Sequence, residues 1–221
     1  MSDLYGPIPP TVKQLTPNEM TALHDLKKFS ILAIVGFLLG VVGLALGVSY
    51  LLTALSRGVS SPQPLTSSLS ATYSILPISV PAIILQIVSL VFLRSGYSHL
   101  KGTSGRFDSP YTGINLYFIA LILIFVGIVL IIGAALSASL ILVFGVVVMI
   151  LVGGIMGLVG EILGLVIGAF RLRDHFNKSA FGTAGIMYVV GIFIPLFSFV
   201  GAILVYRGTS SILNEKRNTQ T

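Results

Sequence analysis

Cysteine and tryptophan are both absent from the 221 residues. Without cysteine there is no disulfide, no thiolate metal site, no thiol nucleophile and no thioether haem attachment. Without tryptophan, any interfacial aromatic belt must use Tyr and Phe. Charge is the third scarcity. Asp, Glu, Lys and Arg make up 9% of the chain, against about 25% in an ordinary soluble domain. The GxxxxGK[ST] loop that cradles nucleotide phosphates and the GxSxG nucleophile turn are both missing. No Ser/His/Asp order or intramembrane aspartate pair stands out, so no catalytic residue and no cofactor is expected and an enzyme is not.

What is present is apolar: 55% of the chain is hydrophobic. A globular core of this size could not bury that much apolar surface and still keep a polar exterior. A lipid solvent removes the contradiction, because apolar side chains then face outward. The expected class is therefore an all-α, polytopic transmembrane helix bundle, with the lipid bilayer as its first partner. Five spans are expected, at 29–55, 73–93, 113–135, 140–170 and 184–206. Each is near or above the ~20 residues a helix needs to cross the hydrocarbon. The first run is too long for a signal core and reads as a retained anchor.

The spans divide the chain into an N-terminal segment 1–28, a bundle 29–206 and a polar tail 207–221. Thr16, Pro17 and Glu19 form a capping box with proline at the first helical position, so a short helix is expected from 17. Pro77 and Pro81 are expected in the first turns of the second span, where a missing N–H costs little. The run 140–170 would extend ~46 Å as one helix, longer than the ~30 Å hydrocarbon. One long tilted helix is favoured over two spans, with Gly153-Gly154 as the place for a kink or re-entrant turn. Pro195 is expected to bend the last span at its middle.

Basic residues outnumber acidic ones by 13 to 7 and sit between the apolar runs. That is the pattern of topology-setting loops rather than of a nucleic-acid surface. An N-in arrangement of five spans puts nine Lys and Arg inside and four outside, so a cytoplasmic N-terminus in a cell membrane is expected. A six-span arrangement divides the charges equally well. The third and last spans open on similar segments after basic links, Tyr111 to Tyr117 and Phe181 to Tyr188. Tandem hairpins following a leading helix are one way to account for that likeness.

Glycine spacing is the most specific pattern. Gly36, Gly40, Gly43 and Gly47 fall on one face of the first span, and Gly153, Gly157, Gly160, Gly164 and Gly168 on one face of the long run. Small residues at such spacing let helix backbones approach closely, within one chain, in a homo-oligomer or with other membrane proteins. Glu161 is the only acid inside an apolar run, at the edge of that second face, and with Pro195 it is the candidate for transport. Lys27, Lys28, Arg171 and Arg173 flank spans and are candidates for anionic lipid headgroups. His24, His99 and His175 lack metal-ligand spacing, so no metal site is expected and they read as solvated loop residues.

The Leu26-Lys27-Lys28-Phe29-Ser30 entry to a glycine-striped first span, the Pro110-Tyr111-Thr112-Gly113 entry to the third and the five-span layout together resemble a family of uncharacterised multi-pass membrane proteins. That family comes from thermoacidophilic crenarchaea of the Sulfolobus group. The resemblance implies an archaeal cell membrane and no known enzyme role, and it carries over no site residue. The function expected is a non-enzymatic structural, accessory or complex-forming membrane component. The alternative is a small proton- or ion-coupled transporter or channel using Glu161.

Overall fold

The computed structural model describes residues 15–56, 66–137 and 140–218. Everything described is helix or short connection. The helices are α1 (Pro17–Ser56), α2 (Thr66–Thr103), α3 (Asp108–Ser137), α4 (Leu140–Glu161), α5 (Gly168–Phe176), α6 (Ser179–Gly191) and α7 (Pro195–Asn218). A π segment (Ile162–Ile167) joins α4 to α5, so the long apolar run is one rod. The chain passes straight through Gly153-Gly154, and the irregular turn lies after Glu161 instead.

The capping box forms in both directions. Thr16 Oγ1 accepts from Glu19 N at 3.2 Å, and Glu19 Oε2 accepts from Thr16 N at 2.7 Å. The helix it starts is not a separate short one but the beginning of α1. Residues 1–14 lie outside the described residues, as does the link 57–65. α2 begins at Thr66 rather than near 73, so Pro77 and Pro81 sit in its interior. Asn177, in the left-handed region at φ 52°, ends α5 and turns the chain into α6.

Three antiparallel hairpins result. In α1/α2, Gly36 faces Ala82, Leu85 and Gln86, and Gly96 faces Ala22 and Leu26. In α3/α4 one register pairs Gly127 with Ile150, Ile124 with Gly153, Ala120 with Gly157, Tyr117 with Gly160 and Gly113 with Gly164. In α6/α7 another pairs Gly191 with Ser198, Tyr188 with Gly201 and Phe181 with Gly208. The leading helix is thus half of the first hairpin, not a solitary span ahead of two tandem pairs.

The core lies toward one end. Leu23, Leu26, Leu93, Tyr97, Leu100, Phe107, Ile114, Leu172 and Phe181 are packed there with almost no exposure. All eleven described Lys and Arg cluster around that end, from Lys27 to Arg217. Ion pairs tie its strands of chain together: Lys101 to Asp108 at 3.1 Å and Lys178 to Glu215 at 2.6 Å. The other ends of α1/α2 and α3/α4 carry exposed Leu44, Ile83, Phe125 and Phe144. Five helical stretches are long and apolar enough to cross a membrane by length and composition: Pro17–Ser49, Val80–Thr103, Gly105–Gly127, Phe144–Phe176 and Pro195–Asn218.

The last expected span, 184–206, takes a different form. It is not a bent rod but the facing halves of α6 and α7, reversed at 192–194. Pro195 supplies no N–H to continue α6 and instead occupies the first position of α7, where its fixed φ suits a helix start. The N–H groups of Phe193 and Ile194 both donate back to Val190 O, and Phe197 N donates to Ile194 O, which closes the reversal. Gly191 lets the arms meet, since a Cβ there would lie 2.7 Å from Ser198 N. Residues 207–218 are therefore ordered helix returning to the basic end, where Glu215 meets Lys178.

Candidate functional site

The reversal at 192–194 reaches only partway along its neighbours. Phe199 of α7 stacks on Phe37 of α1 with centroids 4.9 Å apart, while Lys27 lies over the Tyr206 ring. About a dozen residues of α7 separate the reversal from Tyr206, ~18 Å at helical rise, against a ~30 Å hydrocarbon. The reversal therefore lies beside the apolar stretch of α1, short of its far end. Phe193 at its tip is 81% exposed.

On its other side α6 packs on the π segment, and Ile192 approaches α3 and α4. A cavity of about 250 Å³ opens there, lined by Tyr117, Ala120, Gly157, Leu158, Glu161 and Ile192 among others. Gly157 and Gly154 leave the room. A Cβ on Gly157 would make only ordinary contact with Ala120 at 3.6 Å, and one on Gly154 would meet nothing within 4 Å. Glu161 is half-buried at the end of α4. Among the described residues its carboxyl has no hydrogen bond and no ion pair. Tyr117 and Tyr188 lie within electrostatic reach of it. The Tyr188 hydroxyl is buried without a hydrogen-bond partner in the described structure.

The turn after Glu161 is the π segment, a form found often at functional sites and one that displaces the backbone register. Tyr97 of α2 donates to the Gly164 carbonyl within it at 3.0 Å. Glycines hold the segment close to its neighbours. A Cβ on Gly164 would meet Ile114, and one on Gly168 would meet the Tyr97 ring.

The expected site residues separate clearly. Gly153, Gly160, Gly164 and Gly168 press against α3 and α2, and Gly36 presses against α2. These glycines pack within the chain. Gly43 is buried and Gly47 half-buried. Gly40 is exposed with nothing near its Cβ position. Pro195 does not line the Glu161 cavity; Ile192, three residues before it, does.

The basic candidates do not form one group. Lys28 pairs with Asp25 and lies over Phe92. Arg171 is exposed, and Arg173 packs against Gly182 beside Asp174. The histidines take three separate places. His175 is not solvated: its Nε2 lies 2.6 Å from Glu19 Oε1, with side chains only 12% and 1% exposed. His99 sits 3.9 Å from Asp25, which accepts from Ser95 at 2.7 Å.

Comparison with curated proteins and with solved structures returns no match. Residues 19–221 match the family described as "Protein of unknown function (DUF973)". That stretch includes all three hairpins and the Glu161 cavity, so this helical chain belongs to the DUF973 family.

Proposed function

We propose that this chain is a multi-pass protein of an archaeal cell membrane and moves a proton or a small proton-coupled solute through the Glu161 cavity, without enzymatic chemistry. Four helices, α1 to α3 and the α4–α5 rod, cross the bilayer. The α6/α7 hairpin enters and leaves from the basic end. That end is cytoplasmic, because the positive-inside rule favours the side holding all eleven described Lys and Arg. Both the start of α1 and the end of α7 are then inside.

One observation carries the transport reading. Glu161 opens on a cavity closed on one side by a half-length hairpin, with no hydrogen bond or ion pair among the described residues. A carboxylate in the hydrocarbon costs ~3 kcal/mol on insertion scales, which makes such acids functional candidates. Broken helices meeting near mid-membrane are the usual frame of transport sites. The glycine faces first suggested assembly, but most of them are occupied inside the chain.

The test is flux of protons in vesicles reconstituted with the full chain, driven by a pH gradient. Wild-type protein should exceed empty vesicles, and Glu161→Gln should abolish the excess while remaining folded and inserted. Wild-type flux equal to that of empty vesicles, or unchanged flux in the variant, ends the reading.

A second reading, a complex-forming component, rests on Gly40. It is exposed on α1 with open space at its Cβ position, beside exposed Val41 and Leu44. A second copy or another membrane helix would fit closely there. Gly40→Leu should then dissociate a complex seen in mild detergent. A wild-type chain that is monomeric with no co-purifying partner counts against it.

A further inference from the structure

We propose that the groove between the start of α1 and the end of α7 binds a phosphate ester at the membrane surface. α1 contributes Met20, His24 and Lys27, and α7 contributes Leu213, Asn214, Lys216 and Arg217, around a space of about 240 Å³. The two helices meet here only because α7 returns to the basic end, so residues nearly two hundred positions apart in sequence share one site. Two lysines, an arginine and a histidine face one small volume whose remaining walls are an amide and two apolar side chains. Among the described residues no carboxylate lines it.

Three nearby acids have partners outside the groove. Glu215 accepts from Lys178 at 2.6 Å and Ser211 at 3.1 Å. Asp25 accepts from Ser95, and Glu19 faces His175. The groove lies between the N-terminal end of α1 and the C-terminal end of α7, whose dipoles oppose one another, so side-chain charge decides the local sign. That sign is positive. Arginine offers a planar fork for phosphate oxygens and lysine a point charge, while the Asn214 amide adds a neutral donor.

The depth of the groove identifies the ligand class. Lys27 Nζ sits 5.5 Å from the centroid of the Tyr206 ring, and that ring is partly exposed, as interfacial tyrosines are. One turn deeper, Ile31 of α1 and Ile203 of α7 are exposed apolar surface. A phosphate head in the groove with hydrocarbon running down that surface fits both halves. A soluble phosphate would use the head site alone. Lys28, Arg171 and Arg173 take no part.

The full chain in detergent, offered phosphatidylglycerol or phosphatidylcholine and read by native mass spectrometry, tests this. Wild-type protein should retain phosphatidylglycerol preferentially. Each groove charge removed should lower that retention about fivefold, so Lys216→Gln with Arg217→Gln should lower it on the order of 20-fold. Lys27→Gln, on the opposite wall, should lower it about fivefold. Arg106→Gln with Arg171→Gln removes the same charge at exposed sites outside the groove and should change it less than about twofold. Thermal stabilisation by inorganic phosphate that the groove variants lose, without any lipid preference, identifies a soluble phosphate as the ligand and keeps the site. Equal losses in groove and control variants, or neither lipid preference nor phosphate stabilisation in the wild type, overturn it.

Discussion

Gly160 and Gly157 lie one turn apart on α4 and face the same partner, yet alanine should affect them very differently. A Cβ on Gly160 would lie 2.7 Å from Tyr117 N, 2.9 Å from Gly113 O and 2.9 Å from Tyr117 Cα. All three are backbone atoms, so no side chain can rotate away. Ordinary contact begins near 3.4 Å, leaving a shortfall of about 0.7 Å that only separation of α3 from α4 can supply. Inserting a methyl group into packing of this kind costs about 1–3 kcal/mol. At Gly157 the same methyl would touch Ala120 Cβ at 3.6 Å, which is favourable contact. Alanine's helix propensity adds little at either site, because chains unfolded in a membrane mimetic keep much of their helix. Gly160→Ala should therefore lose about 1–3 kcal/mol, and Gly157→Ala should stay within about 0.5 kcal/mol of wild type. Equilibrium unfolding of the full chain in mixed detergent micelles, followed by circular dichroism, measures both. A Gly160→Ala variant as stable as Gly157→Ala would refute the backbone contact between α3 and α4.

The path of α7 and the buried pair at the basic end give two further tests. The chain has no cysteine, so single cysteines at Thr103 and Ser211 can be labelled in sealed vesicles with an impermeant maleimide; both should react from the same side, and reaction of Ser211→Cys from the opposite side would replace the hairpin with a fifth crossing. His175→Ala removes the partner 2.6 Å from a glutamate that is 1% exposed, and loss of a charged, buried hydrogen bond should cost about 1.5–3 kcal/mol; unfolding midpoints equal to wild type would show that Glu19 does not depend on His175.

Sequence by itself set the expectation of a lipid solvent. With 9% charged residues and long apolar runs, helices are required, because lipid offers no partner for an unpaired backbone group. The capping box at Thr16 and Glu19 was legible because its bonds are local, and the glycine stripe of α4 because close helix packing needs small residues at helical spacing. The isolation of Glu161 in an apolar run was equally plain. Hydropathy could not separate a bent crossing from a reversal at Pro195, since either gives an apolar stretch of the same length. That choice depended on tertiary contacts: Gly191 against Ser198, Gly201 against Tyr188 and Gly208 against Phe181 allow α7 to fold back on α6. The reversal returned α7 to the basic end, placed Ile192 on the wall of the Glu161 cavity and brought Lys216 and Arg217 to Lys27. Burial of His175 against Glu19 was likewise invisible, because 156 residues separate the partners and only the packing of α5 beside α1 joins them. Local chemistry and solvent preference are written along the chain, but which apolar faces meet is decided by shape complementarity between distant helices.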